Sequence, residues 1–276
     1  MEKPENQFYW WYCFTPGGMV SIAMGSLKPF LVALFLISMI GCLATTCFFI
    51  FCWKPVIDEA IERLPTQATL VQGSLQWYAI SPSILGKNSF LSLSVDTEKN
   101  DIAIQNADVQ FEFGLNEFGV GSLFGFLHFE YSPSLTMNLA RSIVEPWWGA
   151  WNPFIMAGLF LLSFGTFLIL GSQIGLMFGL PLWLVCKFFR KNAIFLQYWK
   201  MAILGQFPGA VWLSVALALY GIKHLDITGF LISILIYFIL VGIYLLLIPF
   251  FIPGASKPSK EISPFASKPT NITPGQ

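Results

Sequence analysis

The sequence predicts an α-helical polytopic membrane protein with four transmembrane helices and an inserted small, mainly antiparallel β (α+β) extracytoplasmic domain. Three observations predict it. Four stretches carry no Asp, Glu, Lys or Arg: residues 29–53, 146–186, 201–222 and 227–253. Each reaches the roughly 20 helical residues that cross a hydrocarbon core. Sixteen of the thirty charged side chains crowd residues 54–145, and within that segment apolar residues recur at alternate positions. The whole chain is 55% apolar and 11% charged, against roughly 45–50% and about 25% in soluble domains.

Residues 1–28 hold the aromatic cluster Phe8, Tyr9, Trp10, Trp11, Tyr12 and Phe14, which reads as an interfacial anchor ahead of the first span. The first span covers residues 29–53, with Pro29 suited to a helix's first turn. Residues 38–42 (Ser-Met-Ile-Gly-Cys) faintly resemble a lipoprotein cleavage site, but the apolar run continues well past Cys42, so a retained anchor is expected. Residues 54–151 form the hydrophilic domain. Its opening PVIDEAIERL has helical spacing and extends the first helix outward until Pro65.

The period then changes to two. Leu75, Trp77 and Ala79 form one alternating set. Leu91, Leu93 and Val95, then Val109, Phe111 and Phe113, then Leu127, Phe129 and Tyr131 form three more. Turn-forming residues separate them, so a sheet with one buried and one wet face is expected. Residues 152–253 hold the remaining spans. Asn152-Pro153 reads as an N-cap and N1 pair, with Trp147, Trp148 and Trp151 at the interface before it. The next span covers residues 201–221, bent by Pro208. The last covers residues 227–248, opened by Asp226 and closed by Pro249 and Pro253. Residues 254–276 read as a polar, disordered cytoplasmic tail.

Orientation follows from short-loop basic residues. The loop 187–200 holds Lys187, Arg190, Lys191 and Lys200 with no acid, which places it in the cytoplasm. Both termini then fall inside and residues 54–145 outside. That segment carries five basic and eleven acidic residues, a balance of −6, which gives no footing for nucleic acid. The expected partners are the lipid bilayer, a membrane or envelope protein, and a second copy of the chain.

Groups that carry chemistry are scarce. The five cysteines show no metal-ligand spacing, and none lies in residues 54–145. No cofactor or metal site is expected. Asp96, His128 and Glu130 are the polar candidates of the hydrophilic domain; His128 and Glu130 share one face at i and i+2, and a surface pair is the plainer reading. His224 sits in a short solvated turn. Inside the spans the strongly polar side chains are Gln173 and Gln206, read first as interhelical hydrogen-bonding groups and second as a substrate path. Gly171, Gly175 and Gly179, and likewise Gly205 and Gly209, form small-xxx-small ridges that allow close helix approach, within the chain or between two copies.

Leu64-Pro65, Gly73-Ser74-Leu75 and Leu93-Ser94-Val95-Asp96-Thr97 resemble an uncharacterised bacterial membrane-protein family, typified by the maltodextrin-utilisation membrane protein. Tyr198-Trp199-Lys200-Met201-Ala202, continuing to Pro208, looks like a helix start shared with Yip-type membrane proteins. The resemblance covers most of residues 27–250. It implies a bacterial cytoplasmic membrane and an accessory or sensory role, and it brings no catalytic residues. The leading expectation is a non-enzymatic membrane protein whose outer domain binds or senses a partner. The alternatives are a transporter or permease subunit, and a membrane enzyme acting on lipid or envelope substrates.

Overall fold

The structure, a computed structural model, describes residues 10–98, 107–191 and 193–254. Its helices are α1 (Pro16–Met24), α2 (Leu27–Phe48), α3 (Lys54–Glu62), α4 (Arg141–Phe188), α5 (Phe195–Leu204), α6 (Phe207–Gly221) and α7 (Ile227–Phe251). Between α3 and α4 lie β1 (Ala68–Val71), β2 (Ser74–Trp77), β3 (Ser83–Lys87), β4 (Leu91–Asp96), β5 (Val109–Gly114), β6 (Glu117–Ser122), β7 (Gly125–Glu130) and β8 (Met137–Asn138). The fold is therefore mixed α+β. Four helical stretches are long and apolar enough to cross a membrane: Leu27–Glu62, Arg141–Phe188, Phe195–Gly221 and Ile227–Phe251.

Local chemistry explains the helix ends and breaks. A π-helical turn (Phe49–Trp53) joins α2 to α3. It lies where the ring of Pro55 would strike the carbonyl of Phe51, and the wider turn relieves that clash. Asp226 caps α7, accepting from Gly229 N at 2.7 Å. The stretch after residue 200 breaks at Gly205-Gln206, just ahead of Pro208, so α5 and α6 meet at a bend. After α4 the chain turns through Arg190 (φ 53°), and Lys191 N bonds back to Cys186 O at 2.9 Å, which closes the helix C-terminus.

Several boundaries differ from the sequence reading. The helix expected to begin at Asn152-Pro153 begins at Arg141, and α4 carries Pro146, Pro153 and Pro181 within it. At 48 residues it is about 72 Å long, far more than a 30 Å crossing needs. The last helix passes through Pro249 to Phe251 before Pro253. The segment read as interfacial contains α1, capped by the Thr15 hydroxyl, which accepts from Gly18 N at 3.2 Å. It is docked into the bundle, with Met19, Ile22 and Ala23 buried among α5 and α7. Gly17 meets the ring of Phe251 there, and Tyr244 Oη donates to Phe14 O at 3.0 Å. Lys200 is not in a loop: it lies in α5, 8% exposed, with Nζ 5.5 Å from the centroid of Phe30. Phe8 and Tyr9, and the tail from residue 255 onward, lie outside the described residues.

In the bundle, α2 packs between α4 and α6, α7 packs on α6, and α5 packs along α4. The strands form two sheets, β2-β1-β8 and β3-β4-β5-β6-β7. Gln72 and Gly73, both at positive φ, make the tight β1–β2 turn. Pairing is antiparallel throughout except for β4 and β5, which are parallel from Leu91↔Val109 to Asp96↔Gly114. The expected wet face is absent on β4, where Ser92, Ser94 and Asp96 are buried like Leu91 and Val95. An inner strand in a parallel pair is of the kind covered on both sides.

A small seam joins the sheets to the bundle. Asn88 Nδ2 donates to Cys52 O at 2.5 Å, while its Oδ1 accepts from Phe90 N and Leu91 N. Phe90 packs edge-on against Tyr220 at 4.9 Å, and Phe48 stacks on Tyr220 at 5.4 Å. Tyr220 Oη donates to Asp108 Oδ2 at 2.5 Å. The starts of β4 and β5 therefore mark the bundle end of the larger sheet.

Candidate functional site

The sheet domain holds a partly open apolar cavity of about 190 Å³ between α3 and the sheets. α3 supplies one wall because it is amphipathic. Ile57, Ala60, Ile61 and Leu64 face inward, while Lys54–Asp58 and Glu59–Arg63 pair on the outside at 2.5 and 2.6 Å. Leu75, Trp77, Leu85, Leu93, Val95 and Phe113 supply the sheet walls, and Leu139 and Val144 complete the lining. Gly86 lets β3 pass against α3: a β-carbon there would collide with the Val56 carbonyl and sit 3.2 Å from Ala60 N.

One polar atom of this wall stands out. Trp77 Nε1 is buried and has no acceptor among the described residues. A buried indole N–H ordinarily finds a partner. The cavity exceeds the roughly 150 Å³ apolar cavity that stays dry and takes up benzene. Its accessible lining is apolar throughout, so it can accept a hydrocarbon segment. Leu75, Phe113 and Leu139 also form the wall of a neighbouring cavity of about 380 Å³, which reaches Phe118, Phe129 and Glu130. Beside that cavity Tyr131 Oη donates to Gly114 O at 3.3 Å, and burial, then the Glu117 charge, pushes its phenol up to about 12.

One side of the smaller cavity is formed by α3 and the start of α4. Ile57, Ile61 and Val144 are half-buried there. Next to it Trp148 Nε1 donates to Asp58 Oδ1 at 2.8 Å, tying α4 to α3.

The sequence-predicted polar residues fall into separate places. His128 and Glu130 lie on the exposed edge strand β7, where His128 Nδ1 is 3.8 Å from Glu117 Oε2. Asp96 ends β4, 1% exposed, accepting from Glu98 N at 3.1 Å through Oδ1, while Oδ2 has no partner among the described residues. β5 and β6 separate it from β7, which is about 14 Å at the usual strand spacing. The three side chains do not share a cleft. Among the described residues no group of three or more His, Cys, Asp or Glu side chains is placed to hold a metal ion. His224 lies in the turn after α6, where its N–H bonds to Leu219 O.

Apart from Gln173, the intrahelical candidates lie against neighbouring helices. The α4 ridge lies against α5: Gly171 O accepts from Gln206 Nε2 at 3.0 Å, Gly175 lies under Ile203, and Gly179 under the Trp199 backbone. With Gly175 and Gly179 buried under α5, that surface is taken up within the chain. Gly205 meets Leu245, and Gly209 meets Tyr237, so this second pair packs on α7. Gln173 is exposed on α4, off the ridge.

Gln206 borders a cavity of about 320 Å³ between α2, α4, α6 and α7. Its Nε2 also donates to Ala202 O at 3.3 Å, and its Oε1 accepts from Tyr237 Oη at 3.2 Å. Thr45 and Ser214 in the same wall donate to Gly41 O and Ala210 O. These polar groups are committed to the helices themselves, which leaves an apolar chamber.

Trp77, Asn88, Asp108 and Tyr220 do not emerge from sequence patterning. Trp77 is one residue of an alternating strand, and the others meet only through long-range folding. No protein-family model matches the chain, and no curated protein or solved structure matches it.

Proposed function

We propose that this chain is a non-enzymatic, four-span membrane protein whose extracytoplasmic sheet domain binds an apolar, chain-bearing molecule drawn from the outer leaflet. The observation that carries the reading is the 190 Å³ cavity, whose accessible lining is apolar throughout. Ligand sites are lined predominantly by apolar side chains, and this cavity is lined by them throughout. Its α3–α4 side supports a lipid source. Trp148 is a residue type favoured at the membrane rim, and Asp58 and Trp148 meet directly beside Ile57 and Val144. The seam through Asn88, Phe90 and Tyr220 gives an occupied domain a route to the helices, which is what an accessory or sensory protein requires.

The scattered positions of Asp96, His128 and Glu130 weigh against hydrolysis as the activity. The commitment of both Gln206 polar groups weighs against a polar transport path.

The test is extraction and mass spectrometry of apolar molecules retained by the purified full chain. Wild-type protein should retain one class of chain-bearing molecule. Ile61→Trp, which fills the cavity from its α3 wall, should lose it, and Ile234→Trp, which narrows the bundle chamber, should keep it. Retention unchanged by Ile61→Trp rejects the reading.

A further inference from the structure

The β6–β7 hairpin has an exposed apolar tip at a definite level in the molecule. Leu123 is 58% and Phe124 85% exposed, and Ser122↔Gly125 is the last pair before the turn. Ser122 pairs with Val109, and Val109 with Leu91. The tip therefore lies at the same end of the sheet as Phe90 and Asp108, the two residues that meet Tyr220 in the last turn of α6.

Charge is graded along the hairpin in the same direction. Residues 118–129 contain no Asp, Glu, Lys or Arg, whereas Glu117 and Glu130 face each other at the far end. The spine is apolar as well. Phe126 lies over Gly119 and Gly121, where added β-carbons would come within 2.6 and 2.5 Å of its ring.

We infer that this hairpin is a lipid anchor: Leu123 and Phe124 enter the interfacial layer of the outer leaflet beside the outer ends of α2 and α6. A protein site would be expected to place polar groups around an apolar centre. Here the acidic side chains of the hairpin instead lie only at the end away from the bundle, as they would on leaving a bilayer. The inference goes beyond the cavity reading and shares with it only the requirement that the bundle is embedded in lipid. An anchored tip would hold the sheet domain upright over the membrane and fix the height of the cavity.

Ile80 supplies the internal control. It is 84% exposed, as apolar as Phe124, and lies at the opposite end of the sheet, since Ser83 pairs with Val95 and Ser81 Oγ accepts from Thr97 N. The full chain is reconstituted in vesicles of phosphatidylcholine and phosphatidylglycerol with p-benzoylphenylalanine at position 124, 80 or 162, and irradiated. Leu162 is an exposed residue of α4 that reports whether the bundle itself meets lipid. Lipid adducts at 124 and 162, with none at 80, are expected. Adducts at 162 but not at 124, or a chain-to-chain adduct at 124 in place of lipid, would overturn the hairpin assignment and leave the cavity reading standing. Failure at 162 would remove the common footing of both.

Discussion

Tyr220 Oη donates to Asp108 Oδ2 at 2.5 Å, and through this bond the last turn of α6 holds the residue that leads into β5. Phe90 and Phe48 close around the same ring, so one tyrosine gathers two strands and two helices. Tyr220→Phe keeps the ring and deletes the donor. A hydrogen bond to a charged group contributes about 1.5–3 kcal/mol, so the seam should weaken by that order while the bundle stays folded. Hydrogen exchange should accelerate over residues 88–96 and 109–114 and remain unchanged in α4. Uniform exchange across the variant and the wild type would show that the seam does not couple the two parts.

Glycine positions on α4 predict opposite outcomes along one helix. Gly175 lies under Ile203, and any β-carbon there collides with it, so Gly175→Leu should separate α4 from α5 and lower the melting temperature sharply. Gly158 has open space around it, and Gly158→Ala should stabilise by about 0.5–1 kcal/mol because the alanine loses less backbone entropy in a helix. Thermal unfolding of both variants in detergent checks the contrast. Equal effects would mean that the ridge does not pack as described.

Gln206 and Tyr237 form a pair whose value is conditional. Gln206→Leu leaves the buried Tyr237 hydroxyl without its partner, which costs about 1–3 kcal/mol for a buried group left unsatisfied. Adding Tyr237→Phe should recover part of the loss, because removing both members of a buried pair is cheaper than removing one. A double-mutant cycle by thermal unfolding measures the coupling. If the glutamine instead read a transported substrate, the single variant would keep its stability and lose flux.

The parts of the fold legible in the sequence are those governed by solvent exclusion or by a local rule. Ionic side chains avoid hydrocarbon, so charge-free stretches marked the long helices, and the Asp226 cap followed from neighbouring residues alone. The start of α4 was not legible: Ala140 at its N-cap makes no side-chain cap bond, whereas Asn152-Pro153 imitates a helix start inside a continuous helix. β6 was hidden because Gly119 and Gly121 are poor strand formers in isolation, and the ring that compensates for them, Phe126, belongs to the next strand. Alternation marks which residues share a face but not strand direction, so the parallel β4–β5 pair was not readable. The seam joins Cys52 to Asn88 and Asp108 to Tyr220, contacts that no local pattern encodes.

The sheet domain and the basic turn between α4 and α5 should lie on opposite sides of a bilayer, since the cavity can reach the outer leaflet only in that arrangement. Single cysteines at positions 80 and 190, in chains otherwise free of reactive exposed thiols, can be labelled in sealed vesicles with a membrane-impermeant maleimide before and after lysis. Labelling of the two positions from opposite faces is predicted. Labelling of both from the same face would contradict the account.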